Sequence, residues 1–264
     1  NYSATFTPDA NSTTGATIDV AANGFTDVAG NGNTAAAQLA LSVDTVLPSV
    51  TINSNKSSLK QGETANITLT LSEDSTDFEA ADITVSGGTL SGFHGSGSSY
   101  SATLTPVTDG NITLDVASGR FTDSNGNANE TATSLVLSYD GTLPYITALS
   151  PQDDASDVSR NSNLTLTFSE DIQIGNSSGT LSLIDATDAT TLATYAMSDT
   201  EVSISGSQLL VDPSVSFTPT HTYYVTMTND ALTDTAGNAL PVSAPRRCLT
   251  SPSPTLHRLR PVMR

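Results

Sequence analysis

The stretch Phe121-Thr-Asp-Ser-Asn-Gly-Asn-Ala-Asn129 decides how the chain folds, because versions of it occur three times. The other two are Phe25-Thr-Asp-Val-Ala-Gly-Asn-Gly-Asn33 and Leu232-Thr-Asp-Thr-Ala-Gly-Asn238. An apolar residue followed by Thr-Asp and then Gly-Asn is typical of a strand that runs into a tight turn. Gly and Asn accept positive φ readily, and Asp and Asn side chains hydrogen-bond turn amides. The same oxygens suit a hard cation such as Ca²⁺. The turn is therefore structural, metal-binding or both.

Longer segments around these turns also repeat. Tyr2-Ser-Ala-Thr-Phe-Thr-Pro8 returns as Tyr100-Ser-Ala-Thr-Leu-Thr-Pro106, and Asp44-Thr-Val-Leu-Pro48 returns as Asp140-Gly-Thr-Leu-Pro144. Repeats of this kind indicate tandem domains rather than one large core. We expect the second half of one repeat at residues 1–48, a complete repeat at 49–144 and a divergent domain at 145–242. The chain is thus expected to open in the middle of a repeat.

Apolar and small polar residues alternate along most of the chain, as in Ile67-Thr-Leu-Thr-Leu71. This period of two predicts strands with one face on a core and one face in water. Seven short strands within about 100 residues are typical of an immunoglobulin-like sandwich, so the predicted fold class is all-β, with tandem Ig-like β-sandwich domains. The strands are expected near residues 50–54, 65–71, 82–86, 88–92, 99–105, 111–116 and 133–139, and again near 145–151, 163–170, 180–184, 191–196, 202–205, 208–211 and 222–228.

The pattern breaks after the third turn. Residues 243–264 contain four prolines, five of the nine basic residues and the single cysteine, Cys248, but no acidic residue. Because proline cannot donate to a central ladder, we expect the third domain to lack its last strand and the strand at 222–228 to have an unpaired edge. The tail itself is interpreted either as a disordered basic terminus or as a frame or assembly artefact.

The charge distribution limits the partners. The formal net charge is −18, and only Lys56, Lys60, Arg120 and Arg160 are basic before residue 245. Such a surface repels nucleic acid and anionic membranes and attracts divalent cations. No apolar run approaches the roughly 20 residues that span a bilayer. Nucleic-acid binding and membrane insertion are therefore not expected.

The repeated motifs carry a family resemblance. Residues 1–144, with Tyr-Ser-Ala-Thr-Leu-Thr-Pro, Phe-Thr-Asp-x-x-Gly-Asn-x-Asn and Asp-x-x-Leu-Pro, resemble the tandem bacterial Ig-like repeats of very large surface adhesins. Residues 145–240, with Leu-Thr-Phe-Ser-Glu170 and the third turn, resemble the Ig-like domain first described in S-layer proteins. The resemblance implies an extracellular or cell-surface bacterial protein with a stalk or adhesive role, and often Ca²⁺ at the domain junctions.

The sandwich topology brings acidic residues together at two places. In an Ig-like domain the B–C and F–G loops lie at one end, so we expect oxygen ligands from both loops to meet a residue of the preceding linker. Several carboxylates at one site repel one another, and bound Ca²⁺ would relieve that repulsion. The alternative is that the Asp side chains only cap their turns. The candidate metal ligands are Asp44, Glu73, Asp74, Asp123, Asn125 and Asn127 at the first site, and Asp140, Glu170, Asp171, Asp234 and Asn238 at the second.

The sequence favours a non-catalytic role. Gly175-Asn-Ser-Ser-Gly179 matches a nucleophile-elbow pattern, but that motif needs a strand–turn–helix context that is not expected here. We predict a stalk or adhesive segment whose partners are the neighbouring Ig-like repeats and cell-surface or matrix ligands. The alternative is a glycan-binding or spacer module of a secreted multidomain enzyme. Such a module would need exposed aromatic platforms, and the chain has no Trp.

Overall fold

The computed structural model describes residues 2–241 and the backbone of the strand Cys248–Thr250. Within these residues the regular structure is strand, apart from one turn of 3-10 helix at Ala80–Asp82. This confirms the predicted all-β fold.

The chain divides into two compact units. The first comprises Asn1–Leu59 and Glu63–Tyr139, and the second comprises Lys60–Gly62 and the chain from Asp140 onward. The half-repeat and the complete repeat of the sequence therefore belong to the same unit, and the divergent domain forms most of the other.

The first unit contains nine strands in three sheets. A pair, β1 and β2, belongs to the half-repeat, and the complete repeat has a three-stranded sheet, β3-β5-β7, and a four-stranded sheet, β4-β9-β8-β6. The strands are β1 Ala16–Ile18, β2 Leu39–Leu41, β3 Val50–Ser54, β4 Ser58–Lys60, β5 Ala65–Ser75, β6 Ile83–Ser86, β7 Gly88–Pro106, β8 Gly110–Val116 and β9 Leu135–Asp140.

The alternation of the sequence builds the core of this unit. Along β5 every second residue from Ala65 to Leu71 is buried, and Leu69 pairs with the buried Tyr100 of β7. On the other sheet Ile112 of β8 pairs with Leu137 of β9, and both are buried. Two inward faces made of such residues form one apolar layer, as expected for a sandwich.

Two strand boundaries differ from the sequence prediction. The strand β5 continues to Ser75, which pairs with Gly97 across an irregular register. Glu73 and Asp74 therefore lie inside a strand and not in a loop. The strands expected at 88–92 and 99–105 are one long strand, β7, and Gly92, Gly95 and Gly97 in its middle have positive φ.

Equivalent residues of the two repeats have different environments. Phe121 is 1% exposed, whereas Phe25 at the same place in the half-repeat is 64% exposed. Phe121 packs edge-on against Phe78, with ring centroids 5.0 Å apart. Phe78 belongs to a part of the complete repeat that has no counterpart among residues 1–48, which accounts for the exposure of Phe25.

Among the described residues, the second unit repeats the plan with ten strands. Two four-stranded sheets, β10-β11-β16-β15 and β14-β13-β17-β19, are accompanied by the pair β12-β18. Leu183, Phe217 and Tyr223 are among the fully buried side chains of its core. The strands are β10 Ile146–Ser150, β11 Leu164–Phe168, β12 Ile172–Ile174, β13 Thr180–Asp185, β14 Thr190–Ala196, β15 Val202–Ser205, β16 Gln208–Val211, β17 Thr222–Met227, β18 Leu232–Asp234 and β19 Cys248–Thr250.

The expectation that the third domain lacks its last strand is wrong. The residues of β19 pair antiparallel with β17, with Thr250 opposite Thr222 and Cys248 opposite Tyr224. A three-residue strand fits here because the prolines at positions 245 and 252 flank it and do not interrupt it. The rest of the predicted tail, and its proposed disorder or artefactual origin, lies outside the described residues.

Candidate metal-binding turns

The aspartate of the repeated motif caps its own turn in all three copies. Asp123 Oδ1 accepts hydrogen bonds from the backbone amides of Asn125 at 2.8 Å and Asn127 at 2.9 Å, and its Oδ2 accepts one from Asn127 Nδ2 at 2.8 Å. Asp27 and Asp234 make the matching bonds to the Asn four residues on. The structural role expected for this turn is therefore present in the geometry.

The glycine of the motif is required by the backbone. Gly30, Gly126 and Gly237 have φ values of +87°, +89° and +91°, a region that residues with a Cβ seldom adopt. A single bridge closes each turn, as between Thr122 and Ala128. The sequence pattern thus encodes the same closed turn three times.

Capping keeps the Asp123 carboxyl group ionised. Burial opposes ionisation, but the hydrogen bonds from the Asn127 side chain and from the turn amides outweigh it, so the pKa of Asp123 is lowered from its ordinary value. Asp123 is only 5% exposed, and Asp234 in the second unit is fully buried. Both aspartates therefore lie at the buried base of their turns.

Asp44 and Glu73 complete the first acidic cluster. One carboxylate oxygen from each of Asp44, Glu73 and Asp123 lies within 4.8 Å of the others. Asn125 Nδ2 donates to Asp44 Oδ2 at 2.6 Å, and Asn127 Nδ2 donates to the Asp44 carbonyl oxygen at 3.2 Å. The two asparagines therefore fasten the linker residue Asp44 to the turn.

The cluster has an electrostatic cost. The pKa of Glu73 is raised, first by burial and then by the negative charges of Asp44 and Asp123. A raised pKa of a carboxyl group means that its ionised form is disfavoured in the fold. At neutral pH the three carboxylates therefore repel one another, which is the condition that a bound cation relieves.

The second unit has an equivalent cluster. Carboxylate oxygens of Asp140, Glu170 and Asp234 lie within 4.8 Å of one another. Asn238 Nδ2 donates to the Asp140 carbonyl oxygen at 2.9 Å and to Asp234 Oδ2 at 2.8 Å. Asp140, Glu170, Asp234 and Asn238 therefore correspond to Asp44, Glu73, Asp123 and Asn127, whereas Ala236 stands where the first turn has Asn125.

Asp74 and Asp171 do not join these clusters. The Asp74 carboxylate lies beside Gly97, and the Asp171 carboxylate lies beside Gly206. A Cβ atom at these glycines would be 3.0 Å from Asp74 Oδ1 and 3.3 Å from Asp171 Oδ1. Because neighbouring strand residues point to opposite faces, Asp74 turns away from the site that Glu73 faces. Of the predicted ligands, Asp44, Glu73, Asp123, Asp140, Glu170 and Asp234 are brought together as carboxylates, and Asn125, Asn127 and Asn238 contact them through their amides.

Two polar residues around the first turn were missed by the sequence analysis. Asn129 is buried, and its side chain bonds the backbone of Arg120, Phe121, Ala117 and Glu130. Its counterpart Asn33 makes similar bonds, so the repeat itself contained the signal. Asp77 accepts hydrogen bonds from the amide and hydroxyl groups of Thr122 at 2.9 and 2.8 Å. It has no counterpart in the half-repeat, so no repeat signal marks it.

Family models identify both parts of the chain. One bacterial Ig-like domain model matches residues 1–43 and again 44–139, and a second bacterial Ig-like domain model matches residues 140–246. The chain belongs to the bacterial Ig-like domain family. The matched domains begin at Asp44 and Asp140, whereas the sequence analysis placed both boundaries five residues later. The S-layer type of the last domain stays a prediction.

The solved structures that match include two adhesins and a tandem from titin. The Escherichia coli adhesin FdeC is 18% identical, with a TM-score of 0.42, and the match covers 90% of this chain and 74% of that one. The I9–I11 tandem of titin is 10% identical over 76% and 66% of the two chains, with a TM-score of 0.31. The Yersinia pseudotuberculosis adhesin InvE is 13% identical over 76% and 58%, with a TM-score of 0.26. Scores of this size carry no functional inference. No curated protein sequence matches the chain.

Two further sequence features can be placed on the fold. The residues Gly175–Gly179 connect β12 to β13, so the strand–helix context of a nucleophile elbow is absent from this part of the structure. In the described part of the chain, no helix has the length and apolar character needed to cross a membrane.

Proposed function

We propose that the chain is a stalk or adhesive segment of a bacterial cell-surface or secreted protein, and that Ca²⁺ binds its acidic turns and stiffens the junctions. One observation carries the proposal. Three carboxylates converge within 4.8 Å at Asp44 and again at Asp140, and these residues are the first of two family-matched domains. A repeated cation site at the entry of successive domains suits a chain whose partners are its own neighbouring repeats.

The donor set fits calcium. Ca²⁺ takes six to eight oxygen ligands in flexible geometry, and each cluster offers three carboxylates. An ionised carboxylate has about four lone-pair positions, so the capping bonds of Asp123 leave capacity for a cation. With water completing the shell, the affinity expected for such an extracellular module is about 10⁻⁴–10⁻³ M.

Glu73 and Glu170 provide the sharpest test, because each adds a carboxylate to its cluster from outside the repeated turn. In EDTA the E73Q/E170Q variant removes one repelling charge per cluster, so we expect its melting temperature to equal or exceed that of the wild type. In millimolar CaCl₂ the order reverses, because the variant loses ligands and the wild type gains stability from binding. The measurement is thermal unfolding of the full chain with and without Ca²⁺ at constant ionic strength.

The control is E130Q, which removes an exposed carboxylate outside both clusters. It is expected to keep the full Ca²⁺-dependent gain. If Ca²⁺ raises the melting temperature of E73Q/E170Q as much as that of the wild type, or raises neither, the clusters are turn caps only.

The enzyme-accessory alternative depends on the exposure of aromatic rings. Tyr100 is buried and Tyr139 is half-buried. The ring of Tyr100 is therefore not an open sugar-stacking platform, whereas Tyr145 is 59% exposed.

A further inference from the structure

A third group of potential ligands lies in the second unit, and the sequence analysis did not single it out. Asp185 ends β13, Asp188 lies in the turn between β13 and β14, and His221 immediately precedes β17. Because β13 and β17 pair with Asp185 opposite Tyr223, the three side chains meet at one end of this sheet. The group contains an imidazole as well as carboxylates, which sets it apart from the acidic turns.

The two oxygens of Asp185 have different partners. Oδ1 accepts the backbone amides of Thr187 at 2.9 Å and Asp188 at 3.3 Å, which fixes the hairpin turn. Oδ2 lies 2.7 Å from His221 Nδ1, and Asp188 Oδ2 lies 3.6 Å from the same nitrogen. Asp185 is 4% exposed. One carboxylate oxygen thus holds the loop while the other faces the imidazole.

The backbone around the group is held in place. The Ala186 amide donates to the Thr222 carbonyl oxygen at 2.7 Å, and the Thr222 amide donates to Thr187 Oγ1 at 3.0 Å. These bonds fasten the hairpin turn to the start of β17. The three side chains therefore project from a fixed frame, as a pre-organised site requires.

We propose that Asp185, Asp188 and His221 bind a divalent transition cation of the zinc type. Zn²⁺ combines imidazole and carboxylate ligands at about 2.0–2.2 Å, so adjacent ligand atoms of a tetrahedral site are about 3.4 Å apart. The 3.6 Å between His221 Nδ1 and Asp188 Oδ2 already matches this spacing, and all three ligand atoms lie within 4.8 Å of one another. Only the distance of 2.7 Å between Asp185 Oδ2 and His221 Nδ1 must increase to reach the spacing of about 3.4 Å.

The ligand types select against calcium at this place. Ca²⁺ prefers six or more oxygens, whereas three ligands that include imidazole, with water in the fourth position, are usual for Zn²⁺. Because a histidine nitrogen must be deprotonated to bind a metal, binding at His221 Nδ1 releases any proton held there to the solvent. The site stands apart from the calcium proposal, because it shares no residue with either acidic turn.

The test is titration of the full chain with Zn²⁺ by calorimetry in EDTA-free, phosphate-free buffer, repeated with Co²⁺ to follow visible absorption. We expect one binding event per chain that weakens by roughly ten-fold or more in H221Q. The exposed Asp188 supplies a second variant, D188N, which is expected to weaken binding without unfolding the hairpin. Circular dichroism in EDTA verifies that both variants remain folded.

Two matched controls test whether the other histidines or the cysteine of the chain account for Zn²⁺ binding. H94Q removes the histidine of the first unit, and C248S/H257Q removes the thiol and the third histidine of the chain. Both are expected to bind Zn²⁺ as the wild type does. The proposal is overturned if the wild type binds no Zn²⁺ at millimolar concentration, if H221Q retains wild-type affinity, or if C248S/H257Q abolishes binding.

Discussion

In the repeated turns, the capping of the turn and the clustering of negative charge depend on different residues. Asp123 and Asp27 make the same capping hydrogen bonds, so the cap by itself does not distinguish a metal site from a structural turn. Glu73 adds clustered charge to the capped turn, since the pKa of its carboxyl group is raised first by burial and then by the charges of Asp44 and Asp123. Among the described residues Asp27 belongs to no group of three potential ligands. The half-repeat turn is therefore an internal reference for capping without clustered charge.

Asp77 predicts a pH dependence that does not involve the proposed metal ligands. The hydrogen bond from the Thr122 amide is the main cause that lowers the pKa of Asp77, while burial raises it and the Ser75 hydroxyl lowers it further. Because the folded-state pKa lies below the ordinary value of 3.8, ionised Asp77 stabilises the fold above that pH. The contribution is lost as the pH falls through the folded-state pKa.

We therefore expect D77N to lower the free energy of unfolding by roughly 0.5–1 kcal/mol near neutral pH, a small value because the side chain is exposed. The difference from the wild type should shrink as the pH falls below about 4. Denaturant unfolding across this range measures it, with the exposed-site variant D9N as the control for removing one charge. A difference that stays constant with pH would show that the Asp77 carboxylate is not the stabilising group.

At the scale of elements, the pairing of β19 with β17 protects a sheet edge. An unpaired edge strand is a template for aggregation, and β19 covers the first half of β17. Proline at position 249 would remove a backbone N–H and restrict φ, so we expect L249P to lower the free energy of unfolding by about 1–2 kcal/mol. Hydrogen exchange at the amide of Tyr223, which lies opposite Leu249, should accelerate in the same variant, whereas the Thr222 amide donates to Thr187 and should not change.

L249V is the matched control, because it keeps the backbone donor and favours an extended strand. Its exchange at β17 should equal that of the wild type. Equal protection in L249P would mean that β17 does not depend on this pairing.

Most elements could be predicted from the sequence because one period dominates it. The alternation in Ile67–Leu71 places the core face of β5 correctly, and the repeats locate the capped turns. Strand ends were less predictable, since the extension of β5 to Ser75 depends on pairing with Gly97 of a distant strand. The three-residue strand β19 is too short to show a period.

The clusters could be predicted only where the repeat showed them. Asp123 and Asp234 stand at the same place in two motifs, so their convergence with Glu73 and Glu170 follows from the topology. Asp77 reaches Thr122 across 45 residues, and Asp185 reaches His221 across 36. Each of these contacts occurs once, so no internal comparison marks the residues in advance.

At the scale of the whole molecule, the calcium proposal predicts a change in dimensions. If Ca²⁺ neutralises the clusters that begin at Asp44 and Asp140, the linkers lose conformational freedom and the chain becomes stiffer. We expect small-angle scattering of the full chain to show a longer maximum dimension in millimolar CaCl₂ than in EDTA at the same ionic strength. The E73Q/E170Q variant should scatter alike in both buffers, while E130Q should follow the wild type. Ca²⁺ could raise the melting temperature of the wild type and leave its scattering profile unchanged. That result would mean that the cation acts within the domains and not on the linkers. Stiffening of a stalk by calcium would then be the wrong mechanism, because the stability would have changed without any change in the maximum dimension of the chain.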